Sequence, residues 1–469
     1  MATVEGAAAT AFITAASTNA GGQKEVTIST DTKLVIPADV TTPIKLIVPE
    51  TGGEVDATDA TVAIEYDASA STGATAFTGG TQGDSVIGGQ GGDVLVGGGG
   101  NDSVNGGSGN DNVSGGLGDD TLEGGDGNDV VGSTVGDDVC FGGAGTDSVY
   151  GGEGNDTLYG GVSAADSNDA ADELDGEAGN DVIFANSGDD IAMGGLGADT
   201  IYGGFGNDVL YGGDDAAGVG DGADLVYGGP GSDQVFGGEG ADTLYGGRSV
   251  VDSEDLADTI RAGADNDEIY ANTGNDLASG GTGDDTIYAG FGDDTVYGGD
   301  DAAGAGDGDD LVYGGPGSDQ IYGGAGNDQL VGGRGFVDAA GADADTLEGG
   351  DGDDALYGNA GNDFLSGGAG ADTLYSGQGV DTLTGGADGD IFNIGPVGSG
   401  ESVITDFTPG EDTIVLAALA NDVALNAETL LSQASSVSGG VSIDLGGGKT
   451  LLLEGITLAD LSADDFNFI

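Results

Sequence analysis

An aspartate returns every nine residues through most of this chain, in the frame G-G-x-G-x-D-x-U-x with U apolar and mostly aliphatic. The frame occurs thirty-one times between Gly79 and Asn393, and its sixth-place Asp never fails. A clean run reads Gly97-Gly98-Gly99-Gly100-Asn101-Asp102-Ser103-Val104-Asn105 and continues directly as Gly106-Gly107-Ser108-Gly109-Asn110-Asp111-Asn112-Val113-Ser114. Carboxylates at one fixed spacing, each preceded by glycines, suit a hard divalent cation. Calcium takes about six to eight oxygens at about 2.3–2.6 Å, and Asp side chains together with loop carbonyls can supply them. Glycines at places one, two and four admit positive φ and close approach of neighbouring loops, turning carbonyls toward a shared site.

The elements that hold such loops follow from the rest of the frame. The last three residues of each unit read as a short strand whose middle side chain points inward. Those places run Val86, Leu95, Val104, Val113, Leu122, Val131, Cys140, Val149 and Leu158 onward to Leu383 and Phe392, with Ala192 and Ala278 the smallest. A core one residue thick per strand offsets little of the backbone entropy of so many glycines, so cation binding must carry much of the folding free energy. Charge argues likewise. Eighty-four acidic residues face seven basic ones, a formal net charge of -77 that should keep the metal-free chain expanded and that disfavours nucleic acid. One ion per pair of stacked loops, roughly 30 in all, would neutralise about 60 charges.

The nonapeptide frame resembles that of the RTX family of secreted calcium-binding proteins. The resemblance covers residues 79–393. It implies an all-β fold, a right-handed parallel β-roll with two nonapeptides per turn and calcium in two rows along its edges. Carried over place by place, it implies calcium ligands at Asp93, Asp102, Asp111, Asp120, Asp129, Asp147, Asp156, Asp181, Asp199, Asp208, Asp233, Asp242, Asp276, Asp285, Asp294, Asp319, Asp328, Asp354, Asp363 and Asp372, where the glycine pattern is also good. Gln82 in the first unit, Ser133-Thr134 before Asp138, and Ala262-Gly263-Ala264-Asp265 before Asp267 depart from the frame and mark the expected weak sites.

A longer period is nested in the short one. Gly151-Gly152-Glu153-Gly154 recurs as Gly237-Gly238-Glu239-Gly240 and as Gly323-Gly324-Ala325-Gly326, 86 residues apart each time. Two units in each such block carry extra loop residues, around Ser163 to Ala170, Asp215 to Gly222, Ser249 to Leu256 and Asp301 to Gly308, with a longer insertion around Phe336 to Ala344. With two units per turn these insertions fall on both edges. Thirteen of the fourteen tyrosines stand at the ninth place. On alternate units that place reads Phe141, Tyr159, Phe184, Tyr202, Tyr227, Tyr245, Tyr270, Tyr288, Tyr313, Val331, Tyr357 and Tyr375, whereas the intervening units are mixed. Such a row is read either as in-register stacking that stabilises the roll or as a contact surface for protein or glycan.

Flanking segments lack the glycine clock. Residues 1–78 hold β-like runs such as Ile44-Lys45-Leu46-Ile47-Val48 and carry Lys24, Lys33 and Lys45, which suggests a small β cap or a docking segment. Residues 394–469 read as a C-terminal β-rich cap. Val403 to Leu416 resembles the capping region that follows the roll in type I secreted RTX proteins, and Leu458 to Ile469 resembles their uncleaved secretion signal. No signal-peptide pattern and no membrane-spanning run is present in this sequence. A secreted, extracellular or cell-surface protein is expected, exported by type I secretion machinery, without membrane insertion. With no histidine, the chain holds neither an HExxH helix nor a Ser-His-Asp triad, and the regular acids are explained by calcium, so no enzyme is expected. The lone Cys140 falls at an inward place and reads as core. Three functions remain. They are a self-associating subunit of a surface layer or extracellular matrix fibre, a calcium-dependent adhesin for a glycan or cell surface, and a small RTX secreted effector.

Overall fold

The computed structural model describes residues 2–4, 17–18, 22–28, 32–48, 50–161, 170–213, 221–247, 256–299, 307–333, 343–395, 400–416 and 426–468. Two compact units divide the chain, Met1–Pro230 and Gly231–Ile469. Each is almost wholly β and has the same internal plan.

In the first unit, strands Val94–Gly99, Asn112–Leu117 and Val130–Gly132 are parallel neighbours with Leu95, Val113 and Val131 in register. The intervening strands Ser103–Ser108, Thr121–Asp126 and Val139–Ala144 form a second parallel sheet, with Val104, Leu122 and Cys140 in register. In the second unit the two series are represented by Ile260, Ala278 and Val296, and by Ile269, Ile287 and Val312. Equivalent places therefore stack every two nonapeptides. Inward residues from Val86 to Phe392 are at most 1% exposed, Cys140 among them. The core is the single file of side chains that the short period requires.

Many strands run longer than the three residues expected, while others, such as Val130–Gly132 and Leu225–Tyr227, keep to three. Val94–Gly99 joins places seven to nine of one unit to the first three of the next, and Gly98 pairs with Gly116 across the sheet. The glycines permit this in two ways. Most second- and fourth-place glycines take positive φ, 110° at Gly98 and 104° at Gly100. First-place glycines do not, and are needed for closeness. A Cβ on Gly106 would lie 2.5 Å from the Gly124 carbonyl oxygen and 2.6 Å from Asp111 Oδ2. At six such places another residue stands instead (Glu177, Asn186, Asn272, Asn359, Asp265, Asp388) and adopts φ between 66° and 80°. Asn and Asp dominate that set, as the left-handed region favours.

The solenoid begins before the glycine frame. Strands Lys24–Thr27, Ile44–Ile47 and Ile64–Asp67 pair in parallel and lead onto Ser85–Gly89. Glu54–Asp56 and Ala76–Thr78 lead likewise onto Val94–Gly99. The segment expected to cap or dock thus extends the same two sheets over residues 24–78. Ile44, Leu46, Ile64 and Tyr66 fill its interior. Its turns are closed by local side-chain bonds, Ser69 Oγ to Asp67 at 2.6 Å and Thr58 Oγ1 to Asp56 at 2.8 Å. Lysines bridge adjacent strands, Lys33 to Glu54 at 2.8 Å and Lys45 to Glu65.

At the other end, Gly400–Ile404 continues one sheet and is extended by Lys449–Glu454, which pairs antiparallel with Gly440–Gly446. A helix, Ala427–Gln433, starts at an Asn426 cap. The final strand Phe466–Phe468 pairs with Thr413–Leu416 on the other sheet. The segment read as a secretion signal is therefore folded here, with Asp465 buried and accepting from the Gly410 and Ser462 amides. The insertions fall largely outside the described residues. Across insertions within a unit the stacking step lengthens from 18 to 25 or 26 residues and the ladder continues, as from Asp147 to Asp172 and from Asp319 to Asp345. No helix among the described residues is long and apolar enough to cross a membrane.

Candidate metal centre

Every sixth-place Asp, including all twenty expected ligands from Asp93 to Asp372, is at most 4% exposed. The loop brings this about by local bonding. Within each unit Oδ1 typically accepts the backbone N–H of the sixth-place Asp one turn earlier, as from Asp93 to Asp111 at 2.7 Å, Asp111 to Asp129 at 2.8 Å, and Asp267 to Asp285 at 2.8 Å. One carboxylate oxygen is thus spent on holding adjacent turns together. The other, in Asp102, Asp111, Asp129, Asp156, Asp181, Asp199, Asp285, Asp294, Asp319, Asp328, Asp354, Asp363 and Asp372, is buried without a hydrogen-bond partner. It lies against the first-place glycine of its own unit, beside the first-place carbonyl of the next turn, as Asp111 Oδ2 and the Gly124 oxygen do around Gly106.

Burial pushes these carboxyls well above their usual range, with adjacent carboxylates adding to the effect. Asp102, Asp111 and Asp156 rise to about 6. Asp181, Asp319 and Asp363 rise to about 8. A buried oxygen that penalises its own charge and faces a carbonyl is satisfied by a cation. Among the described residues no three acidic side chains converge on one point, so backbone carbonyls must provide the balance of any ligand set. An all-oxygen, carbonyl-rich site fits calcium and not a thiolate- or imidazole-seeking metal.

One departure from the frame acts beyond its own unit. Ser133 replaces a first-place glycine, and its hydroxyl donates to Asp120 Oδ2 at 3.2 Å. The disturbance therefore reaches the site one turn earlier as well as Asp138, since the same hydroxyl offsets part of the burial effect on both carboxyls. Asp93 is also distinct. Its two oxygens accept from the Thr75 and Gly89 amides at 2.5 and 2.7 Å, because the turn before it lacks a nonapeptide Asp. At the irregular loop before Asp267, Asp265 takes φ 79° and the regular bonding is kept, Asp242 N–H to Asp267 Oδ1 at 2.7 Å.

Side chains at the fifth place, which the nonapeptide frame leaves unspecified, form a second ladder. Asp137 Oδ1 accepts the Asn155 N–H at 2.9 Å, and Asn155 Oδ1 accepts that of Asn180 at 3.0 Å. The prevalence of Asn and Asp at place five was the available signal.

The ninth-place aromatics stack in register. In the first unit Phe141, Tyr159, Phe184, Tyr202 and Tyr227 have successive centroids 4.7–5.1 Å apart and planes within 8°. In the second, Tyr245, Tyr270, Tyr288 and Tyr313 repeat this at 4.9–5.1 Å, as do Tyr357 and Tyr375 at 4.4 Å. The rings cover one another's faces and stay half-exposed. Beside the row, Tyr288, Tyr313, Phe291 and Pro316 wall a groove of about 290 Å³ floored by Gly290, Gly314 and Gly315.

A family profile described as the RTX calcium-binding nonapeptide repeat matches eleven segments, from residues 78–113 to 357–392, which together cover more than half of the chain. No curated protein matches the chain. Among solved structures, the extracellular lipase LipA from Serratia marcescens aligns at 17% identity over 61% of this chain, with a TM-score of 0.13. The alignment spans 44% of that lipase.

Proposed function

The chain belongs to the RTX calcium-binding nonapeptide repeat family, and from that premise we propose that it is a secreted structural protein that folds on calcium outside the cell and self-associates laterally into a surface layer or matrix fibre. Calcium, when bound, supplies the positive charge that the buried carboxylates require. The chain's own residues do the rest. Sixth-place Asp carboxylates would hold the ion through Oδ2 while Oδ1 ties successive turns, and first-place glycines give carbonyls room to approach. Ion binding and turn stacking are thereby one event.

The observation that carries the assembly reading is the half-exposed aromatic row on one sheet of each unit, set against a mixed opposite sheet. Rings stacked at 4.7–5.1 Å present a rigid apolar edge at low entropic cost. A rigid edge repeated at strand spacing favours a partner with the same repeat. Within this chain no histidine-based catalytic group exists, and the acids of the frame are engaged in the ladder, which supports a non-enzymatic role. Electron microscopy of purified protein before and after millimolar calcium tests the proposal. Ordered sheets or fibres are expected, and particles that stay monomeric at every calcium level overturn it.

A second reading, a calcium-dependent adhesin, is favoured by the groove between Tyr288, Tyr313, Phe291 and Pro316. Aromatic walls over a glycine floor suit the apolar face of a neutral sugar. Binding of soluble or immobilised glycans by monomeric protein would bring this reading forward.

A further inference from the structure

Two insertions return to the frame with an Asp at place three. They read Gly220-Asp221-Gly222-Ala223-Asp224 and Gly306-Asp307-Gly308-Asp309-Asp310, 86 residues apart. Third-place acids in uninterrupted units, such as Asp126 and Asp351, are exposed. Asp307 instead turns inward. A Cβ on Gly299 would lie 2.2 Å from its carboxyl carbon, and one on Gly324 2.7 Å from its Oδ2. Oδ2 accepts the Ala325 N–H at 3.2 Å, and Oδ1 is buried with no hydrogen-bond partner. Asp221 occupies the same place, its carboxylate against Gly213 as that of Asp307 is against Gly299.

The surroundings make a lone carboxylate there costly. Asp310, 2% exposed, directs an unpartnered Oδ2 against Gly298, the neighbour of Gly299. The charge on Asp307 acts on Asp285, Asp310 and Asp328, and that on Asp221 acts on Asp199. Among the residues the structure describes, none between Arg261 and Lys449 is basic. Asp307 Oδ1 and Asp310 Oδ2, both buried without a hydrogen-bond partner, call for a counter-cation.

We infer that Asp307, and Asp221 by the same placement, is a further ligand for a hard divalent cation, giving the loops of Asp310 and Asp224 a second carboxylate that the nonapeptide frame does not provide. The inference rests on the calcium reading above and deepens it. In these two loops a third-place carboxylate is turned toward the glycines instead of solvent, and calcium affinity rises with ligand charge. The insertions thus set the order in which loops fill, loading first at fixed points of the 86-residue block.

The test uses the full chain with calcium as probe. Protein is equilibrated in EGTA-buffered calcium at a free concentration that fills only the tightest sites, and bound ions are counted by mass spectrometry after desalting. Asp307→Asn keeps an acceptor for the Ala325 amide but removes the charge. It should lose one tightly held ion, weakened by about tenfold or more, and Asp221→Asn with Asp307→Asn should lose two. Asp351→Asn, at an exposed third place, should retain the parental count. Circular dichroism at saturating calcium should show the parental strand signal in all three. An Asp307→Asn count equal to that of the parent, or a loss of strand signal that excess calcium does not restore, overturns the inference. A parent that binds no calcium overturns the underlying reading instead.

Discussion

Removing calcium and changing pH together probe the physics of the roll most directly. Asp102 moves from its usual 3.8 to about 6 on burial, a difference of about 3 kcal/mol at about 1.4 kcal/mol per pH unit. Asp181, Asp267, Asp310, Asp319 and Asp363 move further, to about 8. A handful of such ionised sites already matches the roughly 5–15 kcal/mol net stability of a domain. The sign follows from linkage. A carboxyl whose folded value is raised contributes stability that is fully present below its unfolded value, near 4, and is lost as pH rises through 6 to 8. Chelated protein at pH 8 should therefore be largely disordered over 79–393 and regain strand content with millimolar calcium. Chelated protein brought to pH 4 should gain strand content with no metal at all. Far-ultraviolet circular dichroism, with scattering to monitor compaction at low protein concentration, reads both transitions. An identical strand signal at pH 8 with and without chelator would refute the reasoning, as would a chain that stays disordered on acidification. Magnesium should restore little structure, since it demands a smaller, regular octahedron.

Three further outcomes are expected. Replacing Tyr202, Tyr245 and Tyr288 with Ser should weaken lateral assembly, at about 1–2 kcal/mol per ring, while Tyr211, Tyr297 and Tyr322 to Ser serve as the opposite-sheet control; equal assembly of both by electron microscopy would make the row purely structural. Deleting Leu461 to Ile469 should leave the product inside the cell and, because Phe466 is 4% exposed, lower the melting temperature of the C-terminal cap; normal secretion in a fractionation assay would refute the export reading. Gly106→Ala puts a methyl 2.5 Å from the Gly124 oxygen, so it should cost about 1–3 kcal/mol and one bound calcium, whereas a parental ion count and melting curve would show that the loop can yield.

The amino-acid sequence alone determined the periodic part of this protein. A nine-residue clock with an apolar beat marks Val104, Leu122 and Cys140 as inward places, the family resemblance implies stacking two units apart, and the structure stacks them so. The sixth-place Asp was legible for the same reason. Other features were settled only in three dimensions. That Oδ1 is consumed by the amide ladder and Oδ2 is left for a cation depends on which turn lies above, and no linear spacing encodes it. Ser133 acts on Asp120 because contacts in a roll run between turns rather than along the chain. Residues 24–78 join the same sheets without the glycine frame, because inward alternation at Ile44, Leu46, Ile64 and Tyr66 suffices to continue a roll whose turns are closed by side chains. A repeat fixes what every unit shares, whereas the packing of neighbouring turns decides how each exception is absorbed.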